Sequence, residues 1–242
     1  GPLKELSGTG HEALIKIANV PMIEYVIKAA HNAKSTGKII VVGPKGALEN
    51  NLKELIKEQV DVFVESGNSI KDNIMRGIDI IKESQYVLLM TSDIPLITAD
   101  VIDEYIHTCG DDSGADLYYP IIPKEDNQAR FPMVKRTYFH LSEGVFTGGN
   151  MVIIKPDVLI ETTQLLDRII SLRKKPWKLS KILGMKFILK YALGHLSIDE
   201  IESKVAKITG CNGHFMITNH PEIGFDVDKP SDLQVMRDKF IS

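Results

Sequence analysis

Cysteine is scarce: the chain carries two, Cys109 and Cys211, far apart in sequence. That excludes a disulfide framework and a cysteine-based zinc cluster, and it suits a reducing cytosol. Long apolar runs are missing, so no stretch reaches the roughly 20 apolar residues that a membrane-spanning helix needs. The opening residues carry no signal-peptide pattern. An excess of either charge is missing too. The 29 basic and 32 acidic residues leave a net charge of −3, which offers nucleic acid no general basic footprint. Repeats and low-complexity segments are absent, and the histidines show no metal-ligand spacing. What remains is 43% hydrophobic and 25% charged over 242 residues, enough for a large core. That length fits one large α/β domain with insertions, and a cytoplasmic location is the expectation.

One stretch organises the rest. Tyr86-Val87-Leu88-Leu89-Met90 is a short apolar run, broken at Thr91-Ser92-Asp93 and ended by Pro95. A run of this length between turn residues reads as a strand buried on both faces. Asp93 then lies just past the carboxyl end of a central strand, where open α/β sheets bind ligands. A carboxylate beside two hydroxyls there can hold a hard cation such as Mg²⁺. It can equally cap a turn.

The chain before this stretch alternates strand and helix. Ala13–Ala18 reads as extended, and Pro21 opens a helix, since its missing N–H would go unpaired there anyway. Lys38–Val42 is a strand stopped by Gly43-Pro44, and 48–57 is an amphipathic helix. Val60–Val64 is a strand broken by Ser66-Gly67-Asn68-Ser69, which caps a helix to about Glu83. Thr98 caps the next one. This rhythm predicts a parallel sheet with helices on both faces, and it puts Gly43, Ser66–Ser69 and Thr91–Asp93 along one sheet edge.

The second half departs from the rhythm. Ala115–Ile122 is a strand and Lys124–Arg130 a polar loop. Val134–His140 and Gly149–Ile154 read as strands flanking a turn at Ser142-Glu143-Gly144. Helices follow from Pro156 to about Lys174, over 178–193, and from the capping box Ser197-Ile198-Asp199-Glu200 to Thr209. These three form an insertion into the α/β core or a lid over it. A strand at His214–Thr218, an extended stretch at Ile223–Val227 and a helix from Pro230 close the chain.

Phe225-Asp226-Val227-Asp228-Lys229-Pro230 carries the second acidic feature. In extended backbone Asp226 and Asp228 point to one face, where two carboxylates can orient a divalent cation with Asp93. Asp228 could instead cap the Pro230 helix, a role that leaves Asp226 unexplained.

Four segments together resemble the MobA-like nucleotidyltransferases, relatives of the sugar-nucleotide pyrophosphorylases. Ala13–Ile23 resembles the segment ending in "GKPM" before a hydrophobic helix. Ser92–Thr98 resembles the "GDxPLLT" metal loop, and Thr147-Gly148-Gly149-Asn150 the acceptor-side loop. Phe225–Leu233 resembles the closing "DIDTPEDL". The likeness spans nearly the whole chain except about 156–209. It implies a Rossmann-like, GT-A type, mostly parallel mixed sheet with helices on both faces, in a single domain over 1–242 with a helical insertion at about 156–209. It implies in-line transfer of a nucleotidyl group from an NTP to a small, phosphorylated acceptor, with release of pyrophosphate. Mg²⁺ or Mn²⁺ would be held by Asp93, Asp226 and Asp228. Gly43, Pro44, Ser66, Gly67, Asn68, Ser69, Thr91 and Ser92 would line the base and ribose, small residues letting the backbone approach a flat base. Taken singly, both loops also read as ordinary turn chemistry.

The sequence departs from the family in two places. The first strand and most of the glycine-rich phosphate loop are missing. Gly1-Pro2-Leu3-Lys4 resembles the tail of such a loop, so the natural protein is expected to begin about a dozen residues earlier. The family's catalytic Lys before "VL" aligns with Glu12, which cannot stabilise a pentavalent phosphoryl group. Lys4 and Lys16 are the candidates to replace it.

Asn127–Arg136 holds Arg130, Lys135 and Arg136, candidate ligands for an acceptor phosphate or a solvated basic loop. Gly148 and Gly149, beside Asn150, would turn backbone N–H groups to the acceptor, or form a strand bulge. The basic run 173–178, with Lys181, Lys186 and Lys190, suits either an anionic membrane surface or a helix packed with its lysines outward. Two other functions stay open at this stage. One is a nucleotide-sugar glycosyltransferase, whose Asp-x-Asp motif usually follows a mid-chain strand. The other is a non-catalytic nucleotide-binding or regulatory protein, to which Glu12 and the missing loop point.

Overall fold

The structure, a computed structural model, describes residues 3, 7, 8, 10–81, 83–111, 114–160 and 183–241. Lys4, Arg173, Trp177 and Lys181 lie outside them, as does most of the helix predicted from Pro156, which is described over 156–160.

The expected extended stretch at Ala13–Ala18 is broken up. A 3-10 turn at Glu12–Leu14 leads into a small hairpin of β1 (Lys16–Ile17) and β2 (Val20–Pro21). Its two turn residues, Ala18 and Asn19, both take positive φ, 48° and 68°, as a two-residue hairpin turn demands. Pro21 then caps α1 (Met22–Asn32), whose Met22, Ile23, Val26 and Ile27 are buried at helical spacing. The alternation follows as predicted: β3 (Ile40–Gly43), α2 (Lys45–Gln59), β4 (Val62–Glu65), α3 (Ile70–Ile81), β5 (Val87–Met90) and α4 (Ala99–Asp111).

Beyond α4 the order is β6 (Leu117–Pro123), α5 (Lys124–Arg130), β7 (Phe139–Leu141), β8 (Gly144–Gly148) and β9 (Met151–Ile154). After residue 183 come α6 (Met185–Ala192), α7 (Ile198–Thr209), β10 (Gly213–Ile217) and α8 (Pro230–Ile241). Two local expectations change. Lys124–Arg130 is a helix, with Glu125 and Asp126 in its first turn and Arg130 in its last, charges that complement the helix dipole. The turn at Ser142–Glu143 joins β7 to β8, and β9 is a separate strand.

The sheet is mixed, as expected, but antiparallel pairs outnumber parallel ones among the described strands, so the mostly parallel expectation needs correcting. Parallel pairing joins β3 to β4 and β6 to β10. β9 runs antiparallel between β5 and β6, and β8 runs antiparallel between β6 and β7. Of these antiparallel pairs only β7–β8 is joined by a short turn, as an antiparallel hairpin allows; the others join strands far apart in the chain. Among the described residues β3 and β4 form their own two-stranded sheet beside the six-stranded one.

β8 and β9 share one side of β6, β8 along its carboxyl half and β9 along its amino half. The jog between them is Gly149-Asn150. A side-chain carbon at Gly149 would lie 2.7 Å from Ile223 and 2.8 Å from Pro120, so only glycine lets the strand step across here. Of the described helices in the predicted insertion, α7 and its approach pack on the sheet. Leu196 and Ile198 are buried against Ile121, Leu141 and Phe146. A separate core holds the closing segment, where Phe131 and Phe225 stack at 4.6 Å between ring centroids, both about fully buried. Burial of each ring contributes roughly 2–3 kcal/mol.

Candidate active site

Asp93 follows β5, and Asp226 and Asp228 lie more than a hundred residues later. Two observations explain their meeting. The Val227 N–H donates to the Asp93 carbonyl at 2.9 Å. Phe225 and Val227 are buried in the core, so the extended backbone turns the alternate residues Asp226 and Asp228 to the other face. One carboxylate oxygen from each of Asp93, Asp226 and Asp228 lies within 4.8 Å of the others. Asp232, not Asp228, serves the start of α8: its Oδ2 accepts the N–H groups of Lys229 at 2.9 Å and Asp228 at 3.2 Å. That leaves the Asp228 side chain available to the cluster.

The electrostatics of the cluster are those of crowded acids. Burial pushes the Asp93 carboxyl above its ordinary value, and the Asp228 and Glu12 carboxylates add to this, against the Thr91 hydroxyl. Asp93 Oδ1 is buried with no hydrogen-bond partner, a costly state for a carboxylate oxygen. Three converging carboxylates with an unsatisfied buried oxygen fit a hard divalent cation, which takes oxygen ligands.

The strand-end loops meet beside this cluster. Gly43, Pro44, Ser66, Gly67, Asn68, Ser69 and Ser92 all line one open cavity of about 480 Å³, together with His11, Ala13, Ile70 and Asn73. Thr91 does not line it; its N–H donates to the Asn150 carbonyl at 3.1 Å. The Ser66–Ser69 loop is braced from within. Gly67 N–H donates to Asn73 Oδ1 at 2.7 Å and Asn68 N–H to Asp72 Oδ2 at 3.1 Å, while Ser69 Oγ caps α3 through Asp72 N–H at 3.0 Å. The glycines serve this bracing. A side-chain carbon at Gly43 would meet Leu48, and one at Gly67 would meet Asp72. Packing against these side chains already requires a small residue at both positions. Sequence reading missed His11 and Asn73; Asn73 was within reach, four residues after the helix cap at Ser69.

The acceptor residues do not converge as expected. Arg130 turns to Glu222 at 3.2 Å on the surface. Lys135 is exposed. Arg136 is largely buried and forms an ion pair with Asp226 inside the acidic cluster. Burial lowers its guanidinium pKa, the nearby Asp228 and Asp232 carboxylates oppose that, and the group stays charged. Nor do the backbone N–H groups at the jog face outward: Gly149 donates to the Pro120 carbonyl at 2.9 Å and Asn150 to that of Ile223 at 2.8 Å. Gly148 pairs with Ile121 in the sheet. The jog is the strand interruption of the alternative reading. The Asn150 side chain keeps a buried Nδ2 without a partner, at the edge where β5 ends. Lys16 is exposed on β1, and Glu12 stands close enough to Asp93 to raise its pKa.

A carboxylate cluster at the carboxyl edge of an α/β sheet, beside a cavity walled by strand-end loops, is the layout of a nucleotide-handling enzyme. Residues 7–175 match the model of the MobA-like NTP transferase domain, and the chain belongs to that family. By its description, that family's domain is an NTP transferase. The bifunctional protein GlmU of Thermoanaerobacter pseudethanolicus is 31% identical over 109 residues, which are 43% of this chain and 22% of that protein. The chain therefore spans about a fifth of the length of this curated relative. A hypothetical transferase from Thermus thermophilus superposes with a TM-score of 0.79 at 31% identity, over 96% of this chain and 94% of that one. CMP:2-keto-3-deoxy-manno-octonic acid synthetase, solved with CTP, gives a TM-score of 0.62 at 13% identity, over 95% and 91% of the two chains. The 2-C-methyl-D-erythritol 4-phosphate cytidylyltransferase of Thermus thermophilus gives 0.53 at 12% identity, over 96% and 94%. These last two speak for the fold alone. Among the described residues no helix is long and apolar enough to cross a membrane. Of the basic helix, Lys190 on α6 pairs with Glu200.

Proposed function

We propose that the protein transfers a nucleotidyl group from an NTP to a phosphorylated small-molecule acceptor, with divalent-cation dependence and release of pyrophosphate. The observation that carries this reading is the acidic cluster of Asp93, Asp226 and Asp228 lying next to the cavity formed by three strand ends. The family fits it, and two fold relatives, by name, handle CTP or a phosphorylated sugar alcohol.

In this reading the cavity receives base and ribose between Gly43-Pro44 and Ser66–Ser69, with the Asn68 and Asn73 side chains within reach of the base edge. The triphosphate lies toward Ser92 and Asp93. When bound, Mg²⁺ or Mn²⁺ would be held by Asp93 and Asp228 with Asp226 and would supply charge neutralisation for the triphosphate and orient its α-phosphate. The acceptor oxygen attacks the α-phosphorus as the bond to the pyrophosphate oxygen breaks, and the chain's part is positioning and charge. Because Glu12 occupies the family's lysine position, the cationic role falls to Lys16 or Lys4. Lys135 and the Asn150 amide are the remaining acceptor-side groups, and Gly148 and Gly149 shape the backbone there.

The test is a pyrophosphate-release screen of the four NTPs with Mg²⁺, against pooled sugar phosphates, polyol phosphates and cofactor precursors. One NTP is expected to release pyrophosphate only when a particular acceptor pool is present. Release of a free nucleoside diphosphate from a nucleotide sugar, with no activity on any NTP, would overturn the reading.

A further inference from the structure

Arg136 stands where a divalent cation would be drawn. Its guanidinium is paired with Asp226, and the two side chains are only 15% and 16% exposed. Asp226 is one of three carboxylates whose oxygens lie within 4.8 Å of one another, and Asp232 and Glu12 add negative charge nearby. A guanidinium and a dication cannot both sit at ligand distance from one carboxylate without strong mutual repulsion.

Residues 134–138 belong to no helix or strand. The segment is held at its ends, where Val134 is buried against the closing core and the Tyr138 hydroxyl donates to Asn127 Oδ1 at 3.0 Å. Between these anchors Lys135 and Thr137 are exposed, and Arg136 alone reaches inward.

We propose that Arg136 is a displaceable counter-ion, which neutralises Asp226 in the cation-free protein and gives that carboxylate up when a divalent cation enters. This rests on the metal reading given above. The device solves a problem that the fold creates. Three carboxylates in one place, two of them partly buried, repel each other, and the protein must remain folded before its substrate arrives. Arg136 supplies one positive charge meanwhile, without closing the site as a tightly bound ion would. Once displaced, the guanidinium is free beside the triphosphate, where its planar donors suit phosphate oxygens.

The test measures binding of Mn²⁺ alone to the full chain, by calorimetry and by electron paramagnetic resonance, with no nucleotide present. Arg136→Gln is expected to bind Mn²⁺ roughly tenfold or more tightly than the original protein, because the competing charge is gone. Arg136→Lys, which keeps the charge, should stay within a few-fold of the original. In thermal melts Mn²⁺ should raise the melting temperature of Arg136→Gln by more than it raises that of the original, as linkage requires. Equal or weaker Mn²⁺ binding by Arg136→Gln would overturn the proposal and make Arg136 a residue that positions Asp226. A second measurement needs no charge-removing variant. Titrating the original protein with Mg²⁺ should shift one arginine Nε–H resonance in the NMR spectrum, the one that disappears in Arg136→Lys. An unchanged arginine spectrum at saturating Mg²⁺ would also overturn it. Asp93→Asn separates this failure from failure of the metal reading. If Mn²⁺ binding persists unchanged in Asp93→Asn, the cation lies elsewhere and both ideas fall; if it is lost, the site stands and only Arg136 is in question.

Discussion

Replacing Asp93 by Asn keeps the side-chain shape and removes one charge, and it should move stability and turnover in opposite directions. The triad's oxygens lie within 4.8 Å. Two unit charges at that distance repel by about 3 kcal/mol at an effective dielectric of about 20. Asp226 is offset by Arg136, which leaves the pair Asp93–Asp228. Asp228 is exposed, so water screens the pair and the net relief falls to about 1–2 kcal/mol. Burial of Asp93 acts in the same sense, since it raises the carboxyl's pKa by disfavouring the charged form. Without divalent cation, Asp93→Asn should therefore melt higher, by about 2–8 °C for a chain of this size. The same change removes a cation ligand, and pyrophosphate release should fall at least about 10²-fold, or about 2.7 kcal/mol of transition-state stabilisation. Differential scanning fluorimetry with and without Mg²⁺, beside a coupled pyrophosphate assay, reads both. A variant that melts lower than the original without Mg²⁺ would refute the electrostatic account. Turnover near the original would remove Asp93 from the mechanism.

Three other outcomes follow from the geometry. Asn73→Ala removes the acceptor for Gly67 N–H at 2.7 Å and loosens the Ser66–Ser69 loop; KM for the NTP should rise about 5- to 20-fold with a smaller change in kcat, seen in steady-state kinetics. Gly149→Ala presses a methyl against Ile223 and Pro120 and should cost about 1–3 kcal/mol in chemical denaturation, with activity falling because the Asn150–Ile223 link shifts. Asp116→Asn tests a structural carboxylate that accepts from Lys155 Nζ at 2.7 Å and Asn212 N–H at 2.9 Å. The Lys155 hydrogen bond, then that of Asn212, lowers the pKa of Asp116. Its stabilisation is therefore present above the unfolded carboxylate pKa of about 4 and is lost as pH falls through the lower folded value. The variant should melt lower at neutral pH, and the two melting curves should converge in the acid range.

How much was legible in the sequence varied with the range of the interaction. Where spacing and local chemistry decide, as in α1, β5 and the Ser197–Glu200 capping box of α7, the reading and the structure agree. The alternation of Phe225 and Val227 with Asp226 and Asp228 was likewise visible, because period two is a local property of extended backbone. The predominance of antiparallel pairing in the sheet was not. It depends on β9 entering between β5 and β6, strands far from it in the chain, and pairing at that range leaves no local mark. Lys124–Arg130 reads as a loop because a seven-residue polar helix has no apolar periodicity to announce it.

The candidate site divides in the same way. The sequence by itself determined that Asp93 lies just past the end of a strand, that Asp226 and Asp228 share a face, and that Gly43, Ser66–Ser69 and Ser92 fall at strand ends. Each of these follows from contacts within a few residues along the chain. Only the tertiary structure decided that the Val227 N–H reaches the Asp93 carbonyl, and that the strand-end loops enclose one cavity. It also turned Arg136 away from an acceptor and into the acidic cluster. A basic loop in sequence carries no record of which acid it will meet. The meeting follows from long-range packing, since Val134 and Phe131 enter the same core as Phe225 and Val227. That shared burial brings the positive charge to Asp226.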